Sequence, residues 1–108
     1  MWNPYNSGAT VGDQGSEHGV ILLDDEHTDG ARITLERDCR PTIPFAITCG
    51  IYGLLVHTRF FGEEIEARTQ FDQMKNDLAV LVEQLPDCGA GVPEDTIEAL
   101  DEFVHRYP

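Results

Sequence analysis

From Gly19 onward the apolar positions recur with a period near two, and from Glu63 with a spacing of three and four. Gly19 to Glu26 is aliphatic and β-branched, Thr28-Asp29-Gly30 has the composition of a turn, and Ala31 to Asp38 alternates cleanly. That pattern predicts a β-hairpin. A two-residue Asp29-Gly30 turn sets Ile33 against Glu26 and Leu35 against Asp24, mixing apolar and charged groups on one face. A three-residue Thr28-Asp29-Gly30 loop instead pairs Leu23 with Leu35 and Glu26 with Arg32. The buried face selects the register, and Gly30 suits the left-handed position such a loop needs. The three-residue loop is expected, with Ile21, Leu23, Ile33 and Leu35 sharing the core face.

Pro41 and Pro44 end the second strand, because neither can donate to a ladder. Phe45 to Phe61 is long for one strand, and Gly50-Ile51-Tyr52-Gly53 at its middle predicts a second hairpin. Symmetric pairing sets Cys49 against Leu54, Ile47 against Val56, and Ala46 against His57. The core face then carries Ile47, Cys49, Leu54, Val56 and Phe60. The other face carries Thr48, Leu55, His57 and Arg59.

Phe71, Met74, Leu78, Leu81 and Leu85 form the stripe of an amphipathic helix, which Pro86 ends. Asp87 to Gly91, including Cys88, reads as a link. Pro93 with Glu94 and Asp95 opens a second helix, proline being pre-set for the first turn and acids facing the positive dipole end. Ile97, Leu100 and Val104 form its apolar stripe. Strands followed by helices indicate an α+β fold, an antiparallel β-meander of about four strands with two helices packed on one face. Residues 18–108 form that single domain. Residues 1–17, rich in Gly, Asn and Ser, are an N-terminal extension in which Trp2 and Tyr5 are the anchors.

Charge narrows the function classes. Twenty acidic residues against seven basic ones give a formal charge of −13 over 108 residues. No basic footprint exists to release counterions, so neither nucleic acid nor an anionic membrane surface is an expected partner. The longest apolar stretch, Ile43 to Val56, is interrupted by Thr48, Gly50 and Gly53 and is not expected to cross a bilayer. The start of the chain lacks the cationic and apolar runs of a secretory leader. Three cysteines, Cys39, Cys49 and Cys88, make an odd count without a C-x-x-C spacing. Reduced thiols in a cytoplasm, with no structural zinc and no cofactor, are the expectation.

Asp25, Asp29, Gly30 and Glu36 stand at positions one, five, six and twelve of a segment that resembles the calcium loop of the EF-hand family. It departs from that pattern at His27, where an oxygen ligand belongs, at Arg32 in the eighth position, and in its strand-like flanks. A hairpin turn accounts for the same residues, and no metal is expected. A Cys49–His57 dyad needs hydrogen-bond reach, which the expected pairing denies by placing the two on opposite faces.

His57 and Arg59 share a face, and Glu36 on the second strand is expected to face the same way. Together they predict a carboxylate–imidazole–guanidinium patch beside Leu55. Apolar residues at Val20, Leu22, Ala46 and Leu55, and at Phe61, would leave that face half-apolar, and such a surface calls for a cover. Two covers are available, the N-terminal segment folded back with Trp2 and Tyr5 or a second copy of the chain about a two-fold axis, and the second copy is the one expected. The leading expectation is therefore a small acidic binding or regulatory module, homodimeric, with a basic protein as partner. The alternative is an enzyme or ligand-binding protein using His57, Arg59 and Tyr52 in a cleft beside the Gly50–Gly53 turn.

Overall fold

The computed structural model describes residues 1–85 and 94–108. Its strands are β1 (Trp2–Pro4), β2 (Val20–His27), β3 (Ala31–Arg37), β4 (Phe45–Ile51) and β5 (Leu55–Phe61). They form one antiparallel meander in the order β1-β2-β3-β4-β5. Helices α1 (Glu64–Glu83) and α2 (Glu94–Arg106) follow. The fold is α+β, with α1 packed on β3, β4 and β5 and α2 packed on α1. The expectations for Pro86, Cys88 and Pro93 lie outside the described residues.

The first hairpin takes the three-residue loop. Leu23 opposes Leu35, Glu26 opposes Arg32, and His27 and Ala31 close the loop. Gly30 accepts the left-handed φ of 105° there, a conformation that costs glycine nothing. The start of β2 departs from the expected faces. A bulge at Leu22 shifts the register, so Ile21 opposes Glu36 and turns to the face away from the helices. A bulge adds one residue to one strand and reverses the alternation beyond it.

The second hairpin is paired differently from the sequence expectation. Cys49 opposes His57, Ile51 opposes Leu55, and Ile47 opposes Arg59. The loop is Tyr52-Gly53-Leu54, closed by the Leu54 N–H donating to the Ile51 carbonyl at 2.9 Å, with Gly53 at φ 79°. Gly50 permits this turn. A Cβ there would stand 2.7 Å from the Leu55 carbonyl oxygen. Relative to the symmetric pairing, every β5 side chain changes sides. Leu55, His57, Arg59 and Phe61 face the helices, while Val56, Thr58 and Phe60 face away.

The core lies between the sheet and α1. Ile33, Leu35, Ile47 and Cys49 meet Phe71, Met74 and Leu78 there, all essentially inaccessible to solvent. Burying each of the large side chains stabilises the fold by about 1.5–3 kcal/mol. On α2 the buried side chain is Phe103, joined by Tyr107 just past the helix, while Ile97 of the expected stripe is exposed. The two rings pack at 5.1 Å between centroids, and their larger area decides which face of α2 turns inward.

The N-terminal segment is docked along β2. Trp2 and Asn3 pair with His27 and Glu26. Further along, the Gly12 N–H donates to the Ile21 carbonyl at 2.9 Å, and the Ile21 N–H to the Asp13 carbonyl at 3.0 Å. Beyond this ladder the segment wraps Glu36, whose exposure is 0%. The Glu36 carboxylate accepts from the Glu17 N–H at 3.1 Å and the Gly19 N–H at 3.1 Å. A Cβ on Gly15 would fall 2.3 Å from the Glu36 carboxyl carbon. Gly15→Ala should therefore displace either the segment or the carboxylate and destabilise the fold by about 1–3 kcal/mol. Chemical denaturation measures the loss. Faster proteolysis within residues 5–19 should accompany it, and unchanged stability would contradict this packing.

Candidate functional site

The sheet offers two surfaces with different chemistry. On the helix-facing side its polar residues sit at the margin, and each is met by a partner. The Lys75 ammonium of α1 binds the Asp25 carboxylate at 2.9 Å. The Arg59 guanidinium donates to the Gln70 side-chain oxygen at 2.8 Å and to the Pro108 carbonyl at 3.1 Å. His57 Nε2–H donates to the Tyr107 carbonyl. His57 and Arg59 thus brace the end of the chain against β5, and Leu55 packs on the core beside them.

This placement divides the residues singled out in the sequence. Glu36 lies on the opposite side of the sheet from His57 and Arg59, so the three do not form a patch. Phe61 joins the core and Leu22 packs on it at the bulge, which removes most of the apolar surface expected on the outward side. Cys49 and His57, expected on opposite faces, are direct cross-strand partners on the same face. Burial nevertheless pushes the Cys49 thiol up to about 12, which keeps it protonated and poorly nucleophilic at neutral pH.

Asp25 and Glu36, the first and last positions of the EF-hand-like segment, stand on opposite faces and do not converge on a common point. Among the described residues, a different set of metal-type side chains converges at His27, Asp29 and Glu83. The Asp29 N–H donates to His27 Nδ1 at 3.0 Å. The ring proton is therefore on Nε2, which lies 3.1 Å from the Glu83 carboxylate and 3.0 Å from the Met1 amino nitrogen. With its lone pair turned to a backbone amide, the ring braces the end of α1 by donating to Glu83. Trp2 packs edge-on against it at 5.1 Å.

The outward side carries the larger cavity among the described residues, a cleft of about 460 Å³. Its floor is the outward face of β3, β4 and β5, with Arg32, Thr34, Thr48, Gly50 and Val56. Its walls are Thr10 and Asp13–Ser16 of the N-terminal segment and Tyr52–Gly53 of the second turn. The ladder aligns Thr34 and Thr48 on it and continues to Thr58 beyond it, since Thr34 opposes Thr48 and Thr48 opposes Thr58. The Thr48 and Thr58 hydroxyls bond to each other at 3.2 Å. At one end Asp24, buried, holds Arg32 by two hydrogen bonds of 2.9 and 2.6 Å and accepts from the Thr10 hydroxyl at 2.8 Å. The guanidinium also lies 3.6 Å from the Tyr5 ring centroid, a stacked cation–π geometry. Asp24 thereby raises the Arg32 pKa above its ordinary value and pins the wall to the floor.

Sequence reasoning placed a cleft beside the Gly50–Gly53 turn and included Tyr52. It missed Arg32, Thr34 and Thr48 as floor residues. Their common spacing of two along β3, and the matching Thr48 on β4, were the available signal. His57 and Arg59 do not line this cleft.

Two tyrosines respond to these surroundings. Burial, then the hydrogen bond to Asp77, pushes the Tyr107 phenol from 10.0 up to about 12. Burial, then the hydrogen bond to Glu26, does the same for Tyr52. The folded chain holds these protons at pH values where the unfolded chain has lost them. Stability is thus fully present below about pH 10 and declines as pH rises toward 12. Tyrosinate absorbance should show both phenols titrating near 12, and Tyr107→Phe should reduce the alkaline decline. A Tyr107 midpoint near 10.0 would contradict the assignment.

A scan of protein-family models finds no match to this chain, and searches of curated proteins and of solved structures find none either.

Proposed function

We propose that this chain is a small binding protein whose ligand occupies the cleft between the N-terminal segment and the outward face of β3–β5. The observation that carries this reading is the cleft's construction. A wall of irregular chain is held over a strand floor by the Asp24–Arg32 pair, the Tyr5 ring and the buried Glu36 carboxylate. Such fastening keeps a cavity open without a ligand inside, and its volume falls in the range of small-molecule sites. The lining suits a molecule with an apolar body and a few hydrogen-bonding groups. Val56, Ile21 and the Tyr52 ring offer apolar contact, while the threonine hydroxyls, Asp13 and Gln14 offer polar partners.

Amide chemical shifts recorded against a library of small aromatic and hydroxylated compounds test this. Hits should converge on Thr34, Thr48, Gly50 and Val56. Thr48→Phe should fill the floor and lower affinity by roughly tenfold or more, about 1.4 kcal/mol, while His57→Ala leaves binding unchanged. Hits scattered over the surface, or indifferent to Thr48→Phe, would overturn the proposal.

A second reading, an acidic regulatory module for a basic protein in the cytoplasm, has its own support. Five of the seven basic side chains, Arg32, Arg37, Arg68, Lys75 and Arg106, are each bound to an acidic neighbour. The −13 surplus is therefore carried by other acids, many of them exposed on α1 and α2. Cys39 and Cys49 are free thiols, which suits a reducing compartment. An oligoarginine peptide should bind with an affinity that falls steeply as salt rises. Salt-independent binding, or none, would remove this reading.

A further inference from the structure

The two edges of the sheet are finished in different ways. On the β1 side the edge strand is three residues long and ends in Pro4, and the rest of β2 is covered by Gly12 to Gln14. Short length, proline and a covering segment are the usual protections against strand-to-strand association. The β5 edge has none of them. Leu55–Phe61 runs seven residues in unbroken register with β4, without proline, glycine or bulge. Among the described residues, no main-chain group outside β4 hydrogen-bonds to the main chain of β5. Its one formally charged residue, Arg59, is held inward by Gln70 and the Pro108 carbonyl. Val56 on the outward face is 82% exposed.

We propose that β5 pairs with β5 of a second copy, antiparallel about a two-fold axis at Thr58, to form a continuous ten-stranded sheet from two five-stranded ones. The apolar ends of β5, which meet each other when the strand is paired with itself, select this occupant, and charge selects this place. Each copy carries −13, and contact through the helices would set exposed acids against acids. Leu55-Val56-His57-Thr58-Arg59-Phe60-Phe61 is a strand without an acidic residue. Centring on Thr58 also uses all seven residues. It sets Val56 beside Phe60 of the second copy on the outward face and Leu55 beside its Phe61 on the helix face, apolar against apolar. Main-chain hydrogen bonds supply the affinity, as in other strand additions. This differs from the dimer expected from the sequence, which needed Leu55 on the outward face. It does not depend on the ligand reading.

Sedimentation of the full chain across the micromolar range tests the proposal. A species of twice 12.1 kDa should appear at the higher concentrations. Val56→Asp, at an exposed position, should weaken it roughly tenfold or more while leaving the circular dichroism spectrum of the monomer unchanged. Deuterium exchange should slow at Leu55–Phe61 amides as concentration rises. A monomer throughout would overturn the proposal, as would a dimer that Val56→Asp leaves intact or one whose β5 amides gain no protection.

Discussion

A carboxylate taken out of water must be solvated by something else, and at Glu36 that something is the backbone of the N-terminal segment. The buried side chain has no ion-pair partner among the described residues. The Glu17 and Gly19 N–H groups hold it, in a space that Gly15 leaves open for lack of a Cβ. Losing these donors would leave a buried charge unsatisfied, a cost of several kcal/mol in most settings. The segment is thereby obliged to cross the outward face, and its crossing creates the cleft wall. A stretch whose composition reads as a tail is part of the domain because one acid on β3 requires it.

The helix-facing side is organised by a different constraint, the register of the second hairpin. Tyr52-Gly53-Leu54 as a three-residue loop sends His57 and Arg59 toward the helices, where Gln70 and the carbonyls of Tyr107 and Pro108 receive them. The same register leaves Val56 exposed on the opposite side and β5 regular and bare along its edge. The turn thus sets which β5 side chains face the cleft, while the cleft's wall comes from the N-terminal segment. The cleft and the free strand edge meet at Val56, which lies on the cleft floor and on the last strand.

How far the sequence speaks depends on whether a residue's surroundings are local. The first hairpin was legible from Leu23 through its loop to Leu35, though not at Ile21, because alternate registers mixed charged with apolar groups and only one did not. The α1 stripe was legible for the same reason, with Phe71, Met74, Leu78 and Leu81 buried as their spacing implies. The second hairpin was not. In Leu55-His57-Arg59-Phe61 the inward positions alternate with two polar side chains, whereas Leu54-Val56-Phe60 looks the more apolar set. Polar groups can face inward at a sheet margin when distant chain supplies their partners, and those partners lie about fifty positions away in sequence.

By itself, then, the order of residues determined the class of fold, the positions of β2 to β5 and of both helices, the loop of one hairpin, and a charge that disfavours polyanions. These follow from period, turn chemistry and counting, which act over a few neighbours. Only the tertiary structure decided that Leu22 bulges, that Phe103 and Tyr107 outcompete Ile97 for the interior, that residues 1–19 dock on the sheet with Trp2–Pro4 as its edge strand, and which way β5 faces. Each of those outcomes is a contest between two locally acceptable arrangements, and it is settled by groups remote in the chain that satisfy one of them and not the other.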